Sequence, residues 1–379
     1  MALVLNEEQR LLAETAGEFL QKQAPVGALR ALRDSRDPLG YDAELWRQMA
    51  ELGWASVILP EDAGGLDFGF SGIGVVLQET GRTLAASPLF ATAVVGASAL
   101  LLGGTETQKA DYLPQVAAGE LTLALALEES QHHRPHHIAT RLEKSGDGFL
   151  LSGEKVFVLD GHSADALLVV ARSAGETTSR DGLSVVLVPR DTAGVEIERT
   201  VMADSRNAAN IRFTGVSIAS TQVVGTEGEA GHWLDDVLDR GRIAMAAEML
   251  GSVEEVFART VAWLKERVQF GVPIGSFQAL QHRAASLQAE LELARSVVLQ
   301  ALTVVDEQPQ QLAIMASLAK ATLNELARHA TNEAVQMHGG IGVTDELEIG
   351  FFLKRARTAM QIFGDTGFHK DRYATLCGY

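Results

Sequence analysis

Four of the ten histidines fall within six residues, as His132, His133, His136 and His137. Imidazole is the commonest metal ligand, so this cluster raises metal chemistry first. The pairs four residues apart, His132 with His136 and His133 with His137, enclose no glutamate, which argues against it. Zinc hydrolases place two histidines at i and i+4 around a glutamate, and Pro135 disfavours a regular helix here. The cluster reads as a loop near a substrate, and no metal site is predicted. A second set of chemistry-bearing residues is spread along the C-terminal half. Arg267 ends a long helical pattern, where the helix dipole favours a cation. Phe270 follows it and reads as core. Gln278 and Gln336 offer amide donors and acceptors or plain exposed polarity, and Gly339 and Gly340 stop a helix. Arg242 reads as a helix-surface charge, and Asp365 follows Gly364 near the end of the chain.

The elements that must position these residues fall into three zones. Residues 1–118 read as helices. Asn6 answered by Gln9 forms a capping box, and Leu12, Ala16, Phe19 and Leu20 share one face of a helix running to about Gln21. A helix over Tyr41–Leu52 ends at Gly53. Further helices cover Gly72–Thr83, about Phe90–Leu102 and Thr107–Ala118. Residues 119–225 change period. Phe149–Leu151, Lys155–Leu159, Ala166–Ala171, Leu183–Pro189 and a run around Gly215 are short strands split by turn residues, which predicts an antiparallel sandwich or barrel. Residues 226–379 return to helices, with long patterns over Trp233–Val268, Phe277–Asp306 and Leu312–Gly339 on the scale of a four-helix bundle. The expected class is α+β, mainly α: an N-terminal helical domain, a central β domain and a C-terminal bundle.

Composition removes several functions. The net charge of −17 argues against a duplex-binding surface, which needs clustered Lys and Arg. The single cysteine, Cys377, excludes an internal disulfide and a zinc ribbon. No apolar run approaches the ~20 residues of a membrane span. The start MALVLNEEQR turns polar too soon for a secretory signal, so a cytoplasmic chain is expected.

Taken in order, the motifs carry more. Leu59-Pro60-Glu61, Gly64-Gly65-Leu66, Gly153-Glu154-Lys155, Arg267-Val268-Gln269-Phe270-Gly271, Phe277-Gln278 and Gln336-Met337-His338-Gly339-Gly340-Ile341-Gly342 stand in the order of the acyl-CoA dehydrogenase family. The chain resembles that family from about Asn6 to Arg372, most specifically in Arg-x-x-Phe-Gly, Phe-Gln and Gln-x-x-Gly-Gly-x-Gly.

The resemblance implies FAD as cofactor and α,β-dehydrogenation of an acyl-CoA thioester, as in fatty acid and lipid degradation. Arg267 would then meet the pyrophosphate, which a guanidinium can bind bidentately. Phe270 would pack near the adenine end, with Gln278, Gln336, Gly339, Gly340 and Thr366 also on the cofactor. Phe157 would form an aromatic platform over the flavin. Arg242 and Glu128 would border the acyl-CoA site. Because the family's cofactor commonly spans a subunit interface, a dimer or tetramer is implied, with an electron-transfer flavoprotein as acceptor.

The resemblance fails at the catalytic base. The family's Tyr-Glu-Gly-Thr segment corresponds to Gln361-Ile362-Phe363-Gly364-Asp365-Thr366, so Gly364 replaces the glutamate, and a one-residue shift would put Phe363 there. The alternative base position, just before Arg242, is Gly241. The family's Thr-Glu-Pro-x-x-Gly-Ser-Asp run becomes Leu127 to Arg134, and Leu159 replaces a hydroxyl directed at flavin N5. Three functions fit these departures: an active dehydrogenase using Asp365, a base-lacking partner in a heteromeric enzyme, or an FAD oxidase of the same fold.

Overall fold

The computed structural model describes residues 4–379. In chain order the first helices are α1 (Glu7–Gln23), α2 (Val26–Ser35), α3 (Ala43–Glu51), α4 (Gly69–Thr83), α5 (Ala97–Gly103) and α6 (Glu106–Ala117). Then come strands β1 (Leu123–Ala126), β2 (Arg141–Ser145), β3 (Gly148–Leu159), β4 (Ala166–Arg172), β5 (Leu183–Pro189), β6 (Val195–Val201) and β7 (Asn207–Ala219). The last zone holds α7 (Leu234–Glu266), a short hairpin of β8 (Val268–Gln269) and β9 (Val272–Pro273), α8 (Gln278–Glu307), α9 (Leu312–His338), α10 (Ile349–Ala359) and α11 (Thr366–Leu376). The helix, sheet, helix succession expected from the sequence is present.

The chain forms two compact units. One comprises the chain up to Ser35, Phe70–Ala85 and Arg242–Tyr379; the other comprises Arg36–Gly69 and Ala86–Gly241. The helical unit begins as the sequence reads. Asn6 caps α1, its side chain accepting the Gln9 amide at 2.8 Å while Gln9 accepts the Asn6 amide at 3.0 Å. Helices α4 and α7 approach at backbone distance. A Cβ on Gly81 would lie 1.9 Å from the Glu248 carbonyl oxygen, and one on Gly251 would lie 1.8 Å from that of Gln78. Any side chain at either position would force these helices apart. Arg355 of α10 pairs with Glu248 of α7, both almost fully buried, so the ion pair is enclosed by the helices it joins.

In the second unit β1–β7 form one sheet in the order β1-β4-β2-β3-β7-β6, with β5 also on β4. The strand pattern predicts antiparallel pairing only. Instead β1 and β4 pair in parallel, Leu123 opposite Ala166 to Ala126 opposite Val169. Parallel neighbours need a crossover, and the β2–β3 hairpin lies within this one. The runs Phe149–Leu151 and Lys155–Leu159 are one strand, β3, whose register against β7 shifts between Leu151 and Gly153 and between Lys155 and Val158. The core of this unit is built from inward residues of the sheet, including Leu151, Leu167, Val169, Val186, Val188, Ile211 and Phe213. The helix expected over Phe90–Leu102 starts as a seven-residue π-helical stretch, Phe90–Gly96. There Thr92 accepts the Leu123 amide at 3.0 Å, tying this stretch to β1.

Candidate active site

Three segments carry the predicted site residues, and each contains an aromatic residue in the left-handed backbone region: Phe157 at φ +53°, Phe270 at φ +54° and Phe363 at φ +55°. A bulky residue there costs on the order of 1–3 kcal/mol and concentrates at functional sites. No sequence pattern flags this common feature.

The first segment is the hairpin after α7. Its two-residue loop, Phe270-Gly271, has positive φ at both positions, the type I′ geometry that favours Asn or Gly. Phe270 occupies it nonetheless and is 91% exposed, so the core reading of this residue is corrected. The loop turns the ring outward, edge-on to Phe277 at 6.1 Å. The Arg267 guanidinium lies over the Trp263 ring at 5.8 Å, and Trp263 stacks on His338 at 5.1 Å. This stack joins the end of α7 to the end of α9. His338 Nδ1 donates to the Ala334 carbonyl at 2.7 Å; burial lowers the His338 pKa and this bond opposes the shift. Gly339 ends α9 at φ +68°, and a Cβ on Gly339 or Gly340 would meet nothing within 4 Å. Gln278 and Gln336 are both exposed, at the start of α8 and in the last turn of α9.

The turn that follows is clamped by α2, a helix with no clear signal in the sequence. Arg33 donates from both terminal nitrogens to the Asp345 carboxylate at 2.7 Å, and Arg30 Nη1 reaches the same carboxylate at 2.7 Å. Both guanidiniums also sit 5.0 Å over the Phe351 ring. The Arg33 bond holds the Asp345 carboxyl down at about 2. The chemistry of this surface suits a dinucleotide: an aromatic-backed guanidinium, two outward amides and an open glycine turn beside them.

The second segment, Ala359–Thr366, includes Gly364, where the resemblance expects the catalytic glutamate. Gly364 has φ +118°, and a Cβ there would lie 2.5 Å from Phe368 Cδ1 and 2.8 Å from His369 Nε2. The space a glutamate side chain would start from is filled by those two rings. Asp365 is exposed and caps α11, its Oδ1 accepting the Phe368 amide at 2.8 Å. Thr366 is the first residue of that helix. Arg242 is not the surface charge expected on local grounds. It is 1% exposed, donates Nε to the Phe363 carbonyl at 3.0 Å, and lies 5.4 Å over the Phe368 ring.

The third segment, Leu127–Thr140 with β3, lies in the sheet unit. Lys155, fully buried, donates Nζ to the Leu127 carbonyl at 3.0 Å and to Glu129 at 2.7 Å. Burial lowers its ammonium to about 8, partly offset by Glu129. Glu129 also accepts the amides of Ala139 and Thr140. Burial pushes its pKa up, but Lys155 and these bonds outweigh that and leave it lowered. Glu128 pairs with His133, and its carbonyl accepts the Val156 amide at 2.8 Å. The bulge in β3 puts Phe157 in its left-handed conformation, half-buried. Leu127 and Leu159 offer no hydroxyl. The histidine cluster splits: His133 goes to Glu128 and His136 to Asp235 at 2.9 Å, while His132 and His137 are exposed. Among the described residues no group of three or more His, Cys, Asp or Glu is placed to hold a metal ion.

Comparison with known proteins agrees with this architecture. The acyl-CoA dehydrogenase N-terminal domain matches residues 6–120, the middle domain 125–216 and the C-terminal domain 232–375. The chain belongs to the acyl-CoA dehydrogenase family, whose members are FAD-dependent enzymes. Among its relatives, acyl-CoA dehydrogenase IpdE2 of Mycolicibacterium smegmatis is 31% identical over 361 residues, covering 95% of this chain and 96% of that protein. A probable acyl-CoA dehydrogenase of Bacillus subtilis, YngJ, is 29% identical, with 94% of each chain covered. Among solved structures, a glycine-to-alanine variant of the Tcur3481–Tcur3483 steroid acyl-CoA dehydrogenase is 32% identical with a TM-score of 0.88, covering 98% of each chain. The ChsE4–ChsE5 complex from Mycobacterium tuberculosis is 25% identical with a TM-score of 0.89, covering 100% of each chain.

Proposed function

We propose that this chain is the FAD-binding, base-lacking subunit of a heteromeric acyl-CoA dehydrogenase, working with a second family chain that supplies the catalytic carboxylate. The observation that carries the reading is Gly364. Its backbone conformation and the Phe368 and His369 rings leave no room for a side chain where the family's glutamate is expected. Two neighbours of the same fold are named as pairs of chains, one of them as a steroid enzyme, which supports both the partner chain and a bulky acyl group.

Arg267, Gln278 and Gln336 would bind the pyrophosphate and adenine half of FAD, with the open Gly339-Gly340 turn admitting close approach and Phe270 covering the adenine. Phe157 would back the ring, and Thr366 would reach the cofactor from the start of α11. FAD, when bound, accepts the β-hydrogen of the thioester as hydride. The chain's own residues orient and enclose. Arg242, which holds the Phe363 carbonyl, and Glu128, paired with His133, would contact the acyl-CoA. Reoxidation by an electron-transfer flavoprotein completes the proposed cycle.

The test is the visible spectrum of the purified yellow protein during anaerobic titration with acyl-CoA thioesters, straight-chain and steroid-side-chain. Alone, the flavin should stay oxidised. Mixed with a family chain that carries the base, it should bleach. Full bleaching by the isolated chain overturns the partner reading. That outcome would favour the second reading, in which Asp365, exposed and adjacent to Gly364, is the base.

A further inference from the structure

The segment around Gly364 is held by a buried lysine that the proposed reaction does not use. Lys320 lies in the middle of α9 with its side chain fully buried. Four oxygens surround its Nζ: Asn324 Oδ1 at 2.8 Å and the carbonyls of Ala359 at 2.9 Å, Met360 at 3.4 Å and Gly364 at 3.4 Å. Asn324 Nδ2 also reaches the Met360 carbonyl at 3.4 Å. Three of the four oxygens are backbone carbonyls of one short stretch, the end of α10 and the turn after it. Helix ends leave such carbonyls without intrahelical partners, and a hydrogen-bond donor placed among them satisfies them.

The charged groups facing Nζ do not make an ordinary ion pair. Arg242 from α7 and Arg355 from α10 carry the same sign, and Asp365, ahead of α11, carries the opposite one. Burial and the two arginines hold the Lys320 pKa well below the ordinary lysine value, so the amine acts here through its N–H donors to neutral oxygens.

We propose that Lys320 is the positioning residue for Ala359–Asp365, an amine tethered to α9 whose N–H donors gather three carbonyls and so fix the left-handed Phe363–Gly364 turn and the start of α11. Arg242 holds the same turn through the Phe363 carbonyl. The role in acyl-CoA handling rests on the reading given under Proposed function; the clamp itself does not.

The test is chemical rescue. Lys320→Ala removes three methylenes and the amine but keeps the oxygen cage, a gap matched by n-propylammonium. In the FAD-loaded protein, hydrogen exchange of peptides covering 359–369 should accelerate at least about tenfold relative to the rest of the chain. Added n-propylammonium should reverse that acceleration, while sodium or choline should not. Lys320→Met fills the space without N–H donors, so it should show the acceleration and resist rescue. Unchanged exchange in this segment, uniform acceleration along the chain, or rescue of Lys320→Met would overturn the clamp. Should Lys320→Ala fail to fold, Asn324→Ala removes one of the four oxygens and should raise exchange in the same peptides; no local change would again overturn it. Flavin reduction by acyl-CoA in the assembled enzyme is measured in parallel. Exchange that responds and is rescued while flavin reduction does not move leaves the clamp standing and removes this segment from the acyl-CoA site.

Discussion

Asp365 Oδ1 accepts the backbone amide of Phe368 at 2.8 Å, which makes the carboxylate next to Gly364 the N-cap of α11. An N-cap oxygen needs to accept one hydrogen bond and carries no requirement for charge. Asp365→Asn should therefore keep both the melting temperature and the rate of flavin reduction in the assembled enzyme. Asp365→Ala should lower stability by about 1 kcal/mol, the usual cost of a lost cap. Loss of flavin reduction in Asp365→Asn at unchanged stability would make Asp365 the base.

On the proposed reading, a glutamate placed at Gly364 should not make the isolated chain active. Gly364→Ala places a methyl against Phe368 and His369 at a φ of +118°, so unfolding by urea should show a loss of about 1–3 kcal/mol. Gly364→Glu should be at least as destabilised and should remain unable to bleach its flavin when isolated. An isolated Gly364→Glu protein that reduces flavin would show that the two rings yield easily.

Lys155 gives the sheet unit a distinctive response to pH. Its folded pKa of about 8 lies below the ordinary 10.5, so between those values the unfolded chain binds more protons. Stability contributed at this site should then rise with pH from about 8 towards 10.5. Glu129, with a lowered pKa, works from the acid side: its contribution is present above the ordinary carboxylate range and is lost as pH falls. Comparing urea midpoints of the native protein and Lys155→Met at about pH 7, 8 and 9.5 should reveal a difference that shifts in favour of the native protein as pH rises. Parallel curves would exclude titration of Lys155 in this window.

The cofactor assignment makes its own demand. Arg267→Lys keeps the charge but loses the planar fork, so FAD affinity should fall about tenfold or more, the effect of a lost charge-assisted hydrogen bond. The flavin absorbance left per subunit after dialysis reads this directly. Retention equal to the native protein would separate Arg267 from the cofactor.

Long periodic segments are legible in the sequence because their patterns are local. The α1 capping box, the helix after Asp42 and the long helices α7–α9 stand where spacing and caps place them. Short elements without caps or alternation are not legible. Helix α2 has an apolar face, but it starts directly after Pro25 and buries only Val26 and Leu29, and β2 presents four exposed residues of five. Recurring motifs mark the candidate site around Arg267 and Gly339, but contacts that depend on distant partners leave no local mark. Lys320 sits among alanines, and its acceptors come mainly from 359–364. An asparagine at i+4 is the one local hint. Arg242 and Phe270 exchange environments for the same reason: the local pattern suggests an exposed Arg242 and a buried Phe270, and tertiary contacts decide otherwise.

Arg172 bears on how the histidine-rich loop can behave. Its buried guanidinium donates to six carbonyls, those of His136, Ile138, Ala174, Thr177, Ser179 and Asp181. Two of the six, His136 and Ile138, belong to that loop, and the Ile138 amide also donates to the Thr177 carbonyl at 2.9 Å, so the loop is pinned to the end of β4 and the turn after it by three hydrogen bonds. The loop is thus a mould with a set shape. If it lines the acyl-CoA site as proposed, it would select acyl groups by fit to a fixed shape.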